Sequence, residues 1–359
     1  LGYYEVNDGG GGTYLIRTKT VSDVDDGGSI HQINDELVSE LIVDNCVNIK
    51  QFGAKSIKVT SESNIPDTDT INTPLKNMIN YVMKLARENL NKGYNFKALI
   101  PAGSYLITET IELSPLVHLI ADGSVCLYWK NNTNEEKIMF KIGTTDDELS
   151  PWARHSIDNR FRNPVIDGSN GNFEIKNISD SKIDTCIALG GFSSNSVGEL
   201  IGLKFLYISN FKVGIDLYLK NVYMNKFENI SIGSCEIGVK TSTPNSGDYG
   251  GTNSGENIIF DKCEIALCNT AILFDDSIIN FKFINCSFDG NGCVVYQNLN
   301  LSATLIFDKC WIEAVGNSMG SENKPISFRD QQAIIYIIPW ENDNYQLYLK
   351  TNYIFTNCR

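Results

Sequence analysis

Three acidic residues in the second half of the chain, Glu264, Asp289 and Glu313, follow one another at intervals of 25 and 24 residues, and Trp311 stands two before the last. Two carboxyl groups held across one bond can serve as a general acid and a base or nucleophile. In glycoside hydrolysis such a pair stands about 5–5.5 Å apart for retention and about 6.5–9.5 Å apart for inversion. An exposed indole adds a flat apolar face on which a sugar ring can stack. Asp289 is therefore the expected base or nucleophile, and Glu313 or Glu264 the acid. Trp311, Asp261, Asp248 and Tyr249 are the expected substrate contacts. The Asp275-Asp276 pair and Glu256 compete for these roles. In a chain of net charge -13, a plainer alternative is that the acids only keep a surface soluble.

What would bring such residues together is a repeat. One frame recurs: a large apolar residue, two variable positions, a Cys or aliphatic residue, one variable position and another apolar residue. Its copies begin at Leu203, Phe227, Phe260, Phe283 and Phe307, spaced 24, 33, 23 and 24 residues apart, with Phe355 a further 48 on. A second strand-like element follows each frame, as in Gly214-Ile215-Asp216-Leu217 and Ala271-Ile272-Leu273-Phe274. A unit of two dozen β-rich residues cannot bury its apolar face alone. Stacked coils spaced about 4.8 Å apart pair every strand with its neighbours and close one interior column. Leucine-rich repeats share the length, but their Leu-x-x-Leu-x-Leu signature is absent.

The frame places Cys263, Cys286 and Cys310 in one internal file as reduced thiols, and aligns Ser231, Glu264, Ser287 and Trp311 in one outward column, with Gly233, Ala266, Asp289 and Glu313 in the next. Asp289 and Glu313 become direct neighbours, and Glu264 lies diagonal to Asp289, about 7–8 Å away. Asn229 and Asn285 are expected at turns. The long 33-residue step is expected to hold a protruding loop over 242–255, and a second polar excursion spans 316–325. Asp167 in Val165-Ile166-Asp167-Gly168 reads as a strand-ending turn whose carboxylate could face a groove.

Composition sets outer limits. With 30 basic against 43 acidic residues, the chain repels nucleic-acid phosphates and anionic lipid, so neither nucleic acid nor membrane is an expected partner. No apolar run is long enough to span a bilayer, and Leu1-Gly2-Tyr3-Tyr4 lacks the basic and apolar regions of a signal peptide. The ten cysteines show no Cys-x-x-Cys spacing, and the three histidines, His31, His118 and His155, are far apart in sequence. No metal site and no cofactor are expected. Asp8-Gly9-Gly10-Gly11-Gly12-Thr13 lacks the Lys of a phosphate-binding loop and reads as a turn.

Upstream of the repeats, Thr73-Pro74 followed by Leu75, Met78, Ile79, Val82, Met83, Ala86 and Leu90, with Gly93 beyond, predicts an amphipathic helix with Thr73 as N-cap and Pro74 at the first helical position. Such a helix would cover the open end of a stacked-coil solenoid. The expected fold is all-β, a right-handed single-stranded parallel β-helix with an N-terminal capping α-helix. Its expected parts are a neck over 1–45, a capping region with the helix over 46–99, and the β-helix over 100–359. The closing Cys358-Arg359 falls inside a frame, so a further C-terminal element or a partner subunit is expected over the last coil.

Val47-Asn48-Ile49-Lys50-Gln51-Phe52-Gly53-Ala54-Lys55, then the helix, then Ile100-Pro101-Ala102-Gly103-Ser104-Tyr105-Leu106-Ile107 resembles the opening of the pectate-lyase-like superfamily of phage tailspikes and polysaccharide depolymerases. After Lys55 the chain departs from the Gly-Asp-Gly and Thr-Asp-Asp turn of that family. Asp25-Asp26-Gly27-Gly28-Ser29-Ile30 and Asn34-Asp35-Glu36-Leu37 resemble the neck before a tailspike β-helix. The resemblance implies a homotrimeric virion tail protein, attached to the phage tail or baseplate through its N-terminus. It would bind and cleave capsule, exopolysaccharide or O-antigen at the bacterial surface. Hydrolysis is the first expectation, a polysaccharide lyase the second and a glycan binder without activity the third. Catalytic residues vary across that family, so the resemblance assigns none.

Overall fold

A computed structural model describes residues 3–5, 8–61, 65, 68–89, 96–114, 117–131, 133, 135–143, 165–179, 186–190, 198–199, 202–218, 222–223, 225–242, 257–274, 280–297, 304–315, 333–337 and 352–359. Outside the described residues lie the candidates Asp248, Tyr249, Glu256, Asp275 and Asp276, the polar stretch 316–325, and all of the 242–255 excursion beyond Ser242.

The β-helix is built from parallel strands that pair from coil to coil. One long sheet runs in order from Cys46–Asn48 through Lys97–Ile107, His118–Trp129, Gly171–Asn177, Gly202–Ser209, Lys226–Gly233, Ile258–Asp261, Asn280–Ile284 and Thr304–Asp308 to Asn352–Thr356. A second runs from Ile111–Leu113 through Lys137–Ile142, Cys186–Gly190, Val213–Tyr218, Ile237–Ser242, Thr270–Phe274 and Cys293–Gln297 to Ala333–Ile337. The short strands Glu264–Ala266, Ser287–Asp289 and Trp311–Glu313 branch from the long sheet and stack in the same direction. The architecture is the expected right-handed parallel β-helix. Its first rung is Cys46–Asn48, which pairs with Lys97–Leu99.

Equal coil length makes identical side chains stack. Phe227, Phe260, Phe283, Phe307 and Phe355 form a continuous pile, with successive ring centroids 4.6, 5.1, 5.0 and 4.8 Å apart. Each such pair adds about 1 kcal/mol beyond burial. Beside it run the thiols: Ser287 N–H donates to Cys263 O, Trp311 N–H to Cys286 O and Arg359 N–H to Cys310 O, so Cys263, Cys286, Cys310 and Cys358 lie in single file. Each Sγ donates to the phenylalanine carbonyl of the preceding rung, at 3.3–3.5 Å. The adjoining Cys263 thiol and burial push the Cys286 thiol up to about 12. All ten cysteines are free, as expected of buried thiols acting as small apolar groups.

Each coil bends at two left-handed positions. The first column is Phe205, Asn229, Lys262, Asn285, Lys309 and Asn357, with φ of 53–55°, and the second is Asn210, Ser234, Leu267, Gly290 and Ala314, with φ of 52–65°. Asn229 and Asn285 thus sit at turns. Asn and Gly accept this conformation readily, whereas each Phe, Lys or Leu there costs roughly 1–2 kcal/mol, which the stacking on both sides offsets.

The helix spans Asn72–Glu88 and buries Leu75, Met78, Ile79 and Val82, a stripe at helical spacing, in the same core as Val47, Ala98 and Ile111. It packs on the first strands of both sheets, Cys46–Asn48 and Ile111–Leu113. Its start differs from the expectation. Ile71 is the N-cap and offers no side-chain bond, so Thr73 is not the cap and Pro74 falls at the third helical position. Asn72 anchors the first turn instead: its amide donates to Thr108 Oγ1 at 2.8 Å and its carbonyl accepts from Thr108 N–H at 3.0 Å. Tertiary anchoring replaces the local cap. Gly93 lies outside the described residues.

Before the first rung, Tyr14–Thr18, Leu37–Leu41 and Ile30–Gln32 make a three-stranded antiparallel sheet. Asp26 closes its turn by accepting from the amides of Gly28, Ser29 and Ile30 at 2.7–3.0 Å. Gly28 lies against the Phe52 ring, where any Cβ would overlap it. The sheet is tied to the helix by Asn77 Nδ2, donating to Asp26 O at 2.7 Å, and by the Tyr81 hydroxyl, donating to Leu41 O at 3.1 Å.

Candidate functional site

The first left-handed bend divides the outward surface of the rungs into two faces. On the face after the bend, register places Asp289 directly opposite Glu313 and Ala266 opposite Asp289. Tyr207, Ser231, Glu264, Ser287 and Trp311 form the adjoining column. The sequence alignment of Glu264, Asp289, Glu313 and Trp311 is therefore the spatial one. All four are exposed, because the inward positions between them, Ile265 and Phe288, fill the core.

Glu264 and Glu313 each have one oxygen held. The Trp311 indole N–H donates to Glu313 Oε2 at 2.6 Å, which fixes the indole beside the acid. The Ser231 hydroxyl donates to Glu264 Oε2 at 2.8 Å from the preceding rung. The Asp289 carboxylate has no hydrogen-bond or ion-pair partner among the described residues. Neighbouring rungs are spaced about 4.8 Å apart, so the Asp289–Glu313 pair falls near the separation of a retaining carboxyl pair. Glu264, diagonal to Asp289, stands farther off. Among the described residues no cluster of three or more His, Cys, Asp or Glu has metal-binding geometry.

Asp261 lies elsewhere. It stands before the bend, in a column that reads Asp167, Lys204, Glu228, Asp261, Ile284, Asp308 and Thr356. Lys226 Nζ lies 3.3 Å from Asp261 and 3.2 Å from Glu228, and Lys204 Nζ lies 3.9 Å from Glu228. Partial burial opposes the charge on Lys226, but hydrogen bonds to Glu228 and Asp261 outweigh it and raise the ammonium pKa. Asp308 accepts from the Thr356 hydroxyl at 3.0 Å. The bend thus parts Asp261 from the other candidates and leaves its charge paired.

Two groups escaped the sequence reading. Tyr207 heads the column that ends in Trp311 and is 41% exposed; its place in the first repeat frame was the signal that could have found it. His118, buried, brings Nε2 to 3.7 Å from Asp167 Oδ2, an ion-pair distance between residues far apart in sequence. Burial works against ionisation of Asp167, and the His118 imidazole with the Ser169 hydroxyl and amide outweighs it, holding the carboxyl at about 2.

Comparison with known proteins bears on the fold. No protein-family model matches the chain, and no curated protein matches it. Among solved structures, the enzymatically active domain of tailspike protein 4 from bacteriophage CBA120 matches over 97% of this chain and 44% of its own, with TM-score 0.56 and 17% identity. The corresponding domain of tailspike protein 2 of that phage matches over 86% of this chain and 44% of its own, with TM-score 0.49 and 9% identity. A 1,3-α-1,4-β-D-galactose-4-sulfate-3,6-anhydro-D-galactose-2-sulfate 4 galactohydrolase matches over 75% of this chain and 70% of its own, with TM-score 0.45 and 14% identity. The class defined by the fold is thus the right-handed parallel β-helix, in the form seen in the tailspike protein 4 domain. This chain spans less than half the length of that domain.

Proposed function

We propose that this chain is the glycan-cutting part of a phage tailspike-type depolymerase, which binds bacterial surface polysaccharide and cleaves it within the chain by glycoside hydrolysis. The observation that supports this most is the direct register of Asp289 with Glu313 on neighbouring rungs, beside an exposed indole bonded to Glu313. Asp289, with no partner among the described residues, acts as nucleophile at the anomeric carbon. Glu313, one oxygen held by Trp311 and the other free to carry a proton, protonates the departing glycosidic oxygen. The glycosyl–Asp289 ester is then hydrolysed by water, which gives up its proton to the same glutamate. Glu264, diagonal to Asp289, is the alternative acid in an inverting arrangement, and Trp311 stacks on a sugar ring. The same reading carries a homotrimer in the virion tail, joined through the N-terminal neck and working at the bacterial surface.

The test is incubation of the purified chain with capsular and O-antigen polysaccharides. New reducing ends with falling viscosity support hydrolysis. Ultraviolet absorbance from unsaturated ends would move the assignment to a lyase. Binding with neither product would leave a glycan-binding tail protein.

A further inference from the structure

We infer that the outward column from Tyr207 to Trp311 is a track for a stretch of linear glycan that carries no acidic groups, with Tyr207 as a second stacking platform. This rests on the reading of the same face as a cutting site and extends it to the class of substrate.

Tyr207 and Trp311 are 41% and 47% exposed and occupy one column, with Ser231, Glu264 and Ser287 on the rungs between them. Successive rungs place the two rings about 19 Å apart along the solenoid axis. The Tyr207 ring leans onto the next rung: a Cβ added at Gly233 would stand 3.5 Å from its hydroxyl and 4.0 Å from a ring carbon. The ring therefore lies down along the surface with one face open, as a stacking platform requires. In the adjoining column, the next positions toward Asp289 are Gly233 and Ala266, whose small side chains leave a shallow trough beside the aromatic track.

Charge selects what can lie there. Between Tyr207 and Trp311 the two columns hold Glu264, Asp289 and Glu313 and no lysine or arginine. The nearest cations stand at the border: Lys262 and Lys309 on the bend, Lys176 on the rung before Tyr207 and Arg359 on the rung after Trp311. A uronate, sulfate or phosphate seated in the trough would face carboxylates about 5 Å away with no countercharge on the floor. A neutral or amino sugar meets no such repulsion, and its hydroxyls or ammonium can donate to the free carboxylate oxygens. Acidic substituents fit only where they fall beyond the two aromatic residues.

The experiment is binding of the full chain to a microarray of bacterial capsular and O-antigen polysaccharides of known repeat structure, with reducing-end release measured on every glycan bound. The expected binders have runs of backbone sugars without acidic groups. Tyr207→Ala and Trp311→Ala should each weaken binding about tenfold, Tyr207→Phe should retain it, and Lys262→Gln with Lys309→Gln should change nothing. Unaltered melting curves would separate these effects from misfolding. Binding confined to polymers acidic in every backbone sugar, loss of binding in the double lysine variant, no effect of Tyr207→Ala, or no glycan bound at all would each overturn the inference. Acidic glycans bound and cut would overturn it while leaving hydrolysis standing. Neutral glycans bound and never cut would leave the track standing and remove the cutting reading.

Discussion

The two outward faces that meet at the left-handed bend carry comparable acidic residues under different constraints. Before the bend, Glu228 and Asp261 are drawn together by Lys226, and Asp308 is bonded to Thr356. After it, Asp289 has no partner among the described residues, and Glu264 and Glu313 each accept one neutral donor. Both faces ride on the same rungs with the same register, so the difference lies in which side chains the repeat places in adjacent columns. Lysines at Lys204 and Lys226 neutralise one face. Serines, Gly233, Ala266 and Trp311 leave the other acidic, uncrowded and partly aromatic. Paired charges on a surface contribute little to stability and are poorly placed for proton transfer, whereas unpaired carboxylates in register can reach a substrate.

That contrast breaks most sharply on activity. Asp289→Asn or Glu313→Gln should lower depolymerisation by at least about 100-fold with no change in melting temperature, while Glu228→Gln before the bend should leave the rate unchanged. Full activity in both of the first two variants, or loss in the third, would exchange the roles of the faces. Cutting the column beneath both faces should act on stability instead. Phe283→Ala, between Phe260 and Phe307 in the aromatic pile, should cost about 3–5 kcal/mol in denaturant unfolding. A loss below about 1 kcal/mol would mean that the pile is not shared support.

Smaller effects sharpen the picture. Lys309→Asn, at a bend with φ of 53°, should stabilise the fold by roughly 1 kcal/mol by relieving the left-handed strain. A destabilised variant would show that the lysine stem contributes packing that outweighs it. Glu228→Gln should change stability by less than about 1 kcal/mol, since its ion pairs are partly solvated. The smallest expected effect is pH-dependent. The folded chain holds Asp167 at about 2, below the ordinary 3.8, so folding favours the ionised form. That contribution is complete above the ordinary carboxylate range and is lost as pH falls through 3.8 toward 2. Melting temperatures of Asp167→Asn should fall less steeply than those of the parent across that interval; parallel curves would mean that the His118 contact leaves the carboxyl unperturbed.

Much of this architecture could be read along the chain because a β-helix converts sequence period into spatial register. A step of about 24 residues returns the chain to the same place one rung higher, so aligning the Phe-x-x-Cys frames aligned the core pile, the thiol file and the column of Glu264, Ser287 and Trp311. The same arithmetic did not reveal that Asp261 belongs to another face. A left-handed residue two positions before Glu264 turns the strand, and Lys262 gives no local sign of that conformation as Asn or Gly would. The helix was legible from its apolar stripe, but its first turn was not, because Asn72 is anchored by Thr108 from a later strand rather than by a neighbour.

Sequence by itself determined the repeat, the parallel stacking, the reduced state of the thiols and the adjacency of Asp289 and Glu313, since all four follow from period and hydrophobic pattern. Only the tertiary structure decided which acids are paired, that Tyr207 lies down over Gly233 toward Trp311, and that His118 meets Asp167. Those depend on where the backbone bends and how side chains lean between rungs, and neither is set by the period.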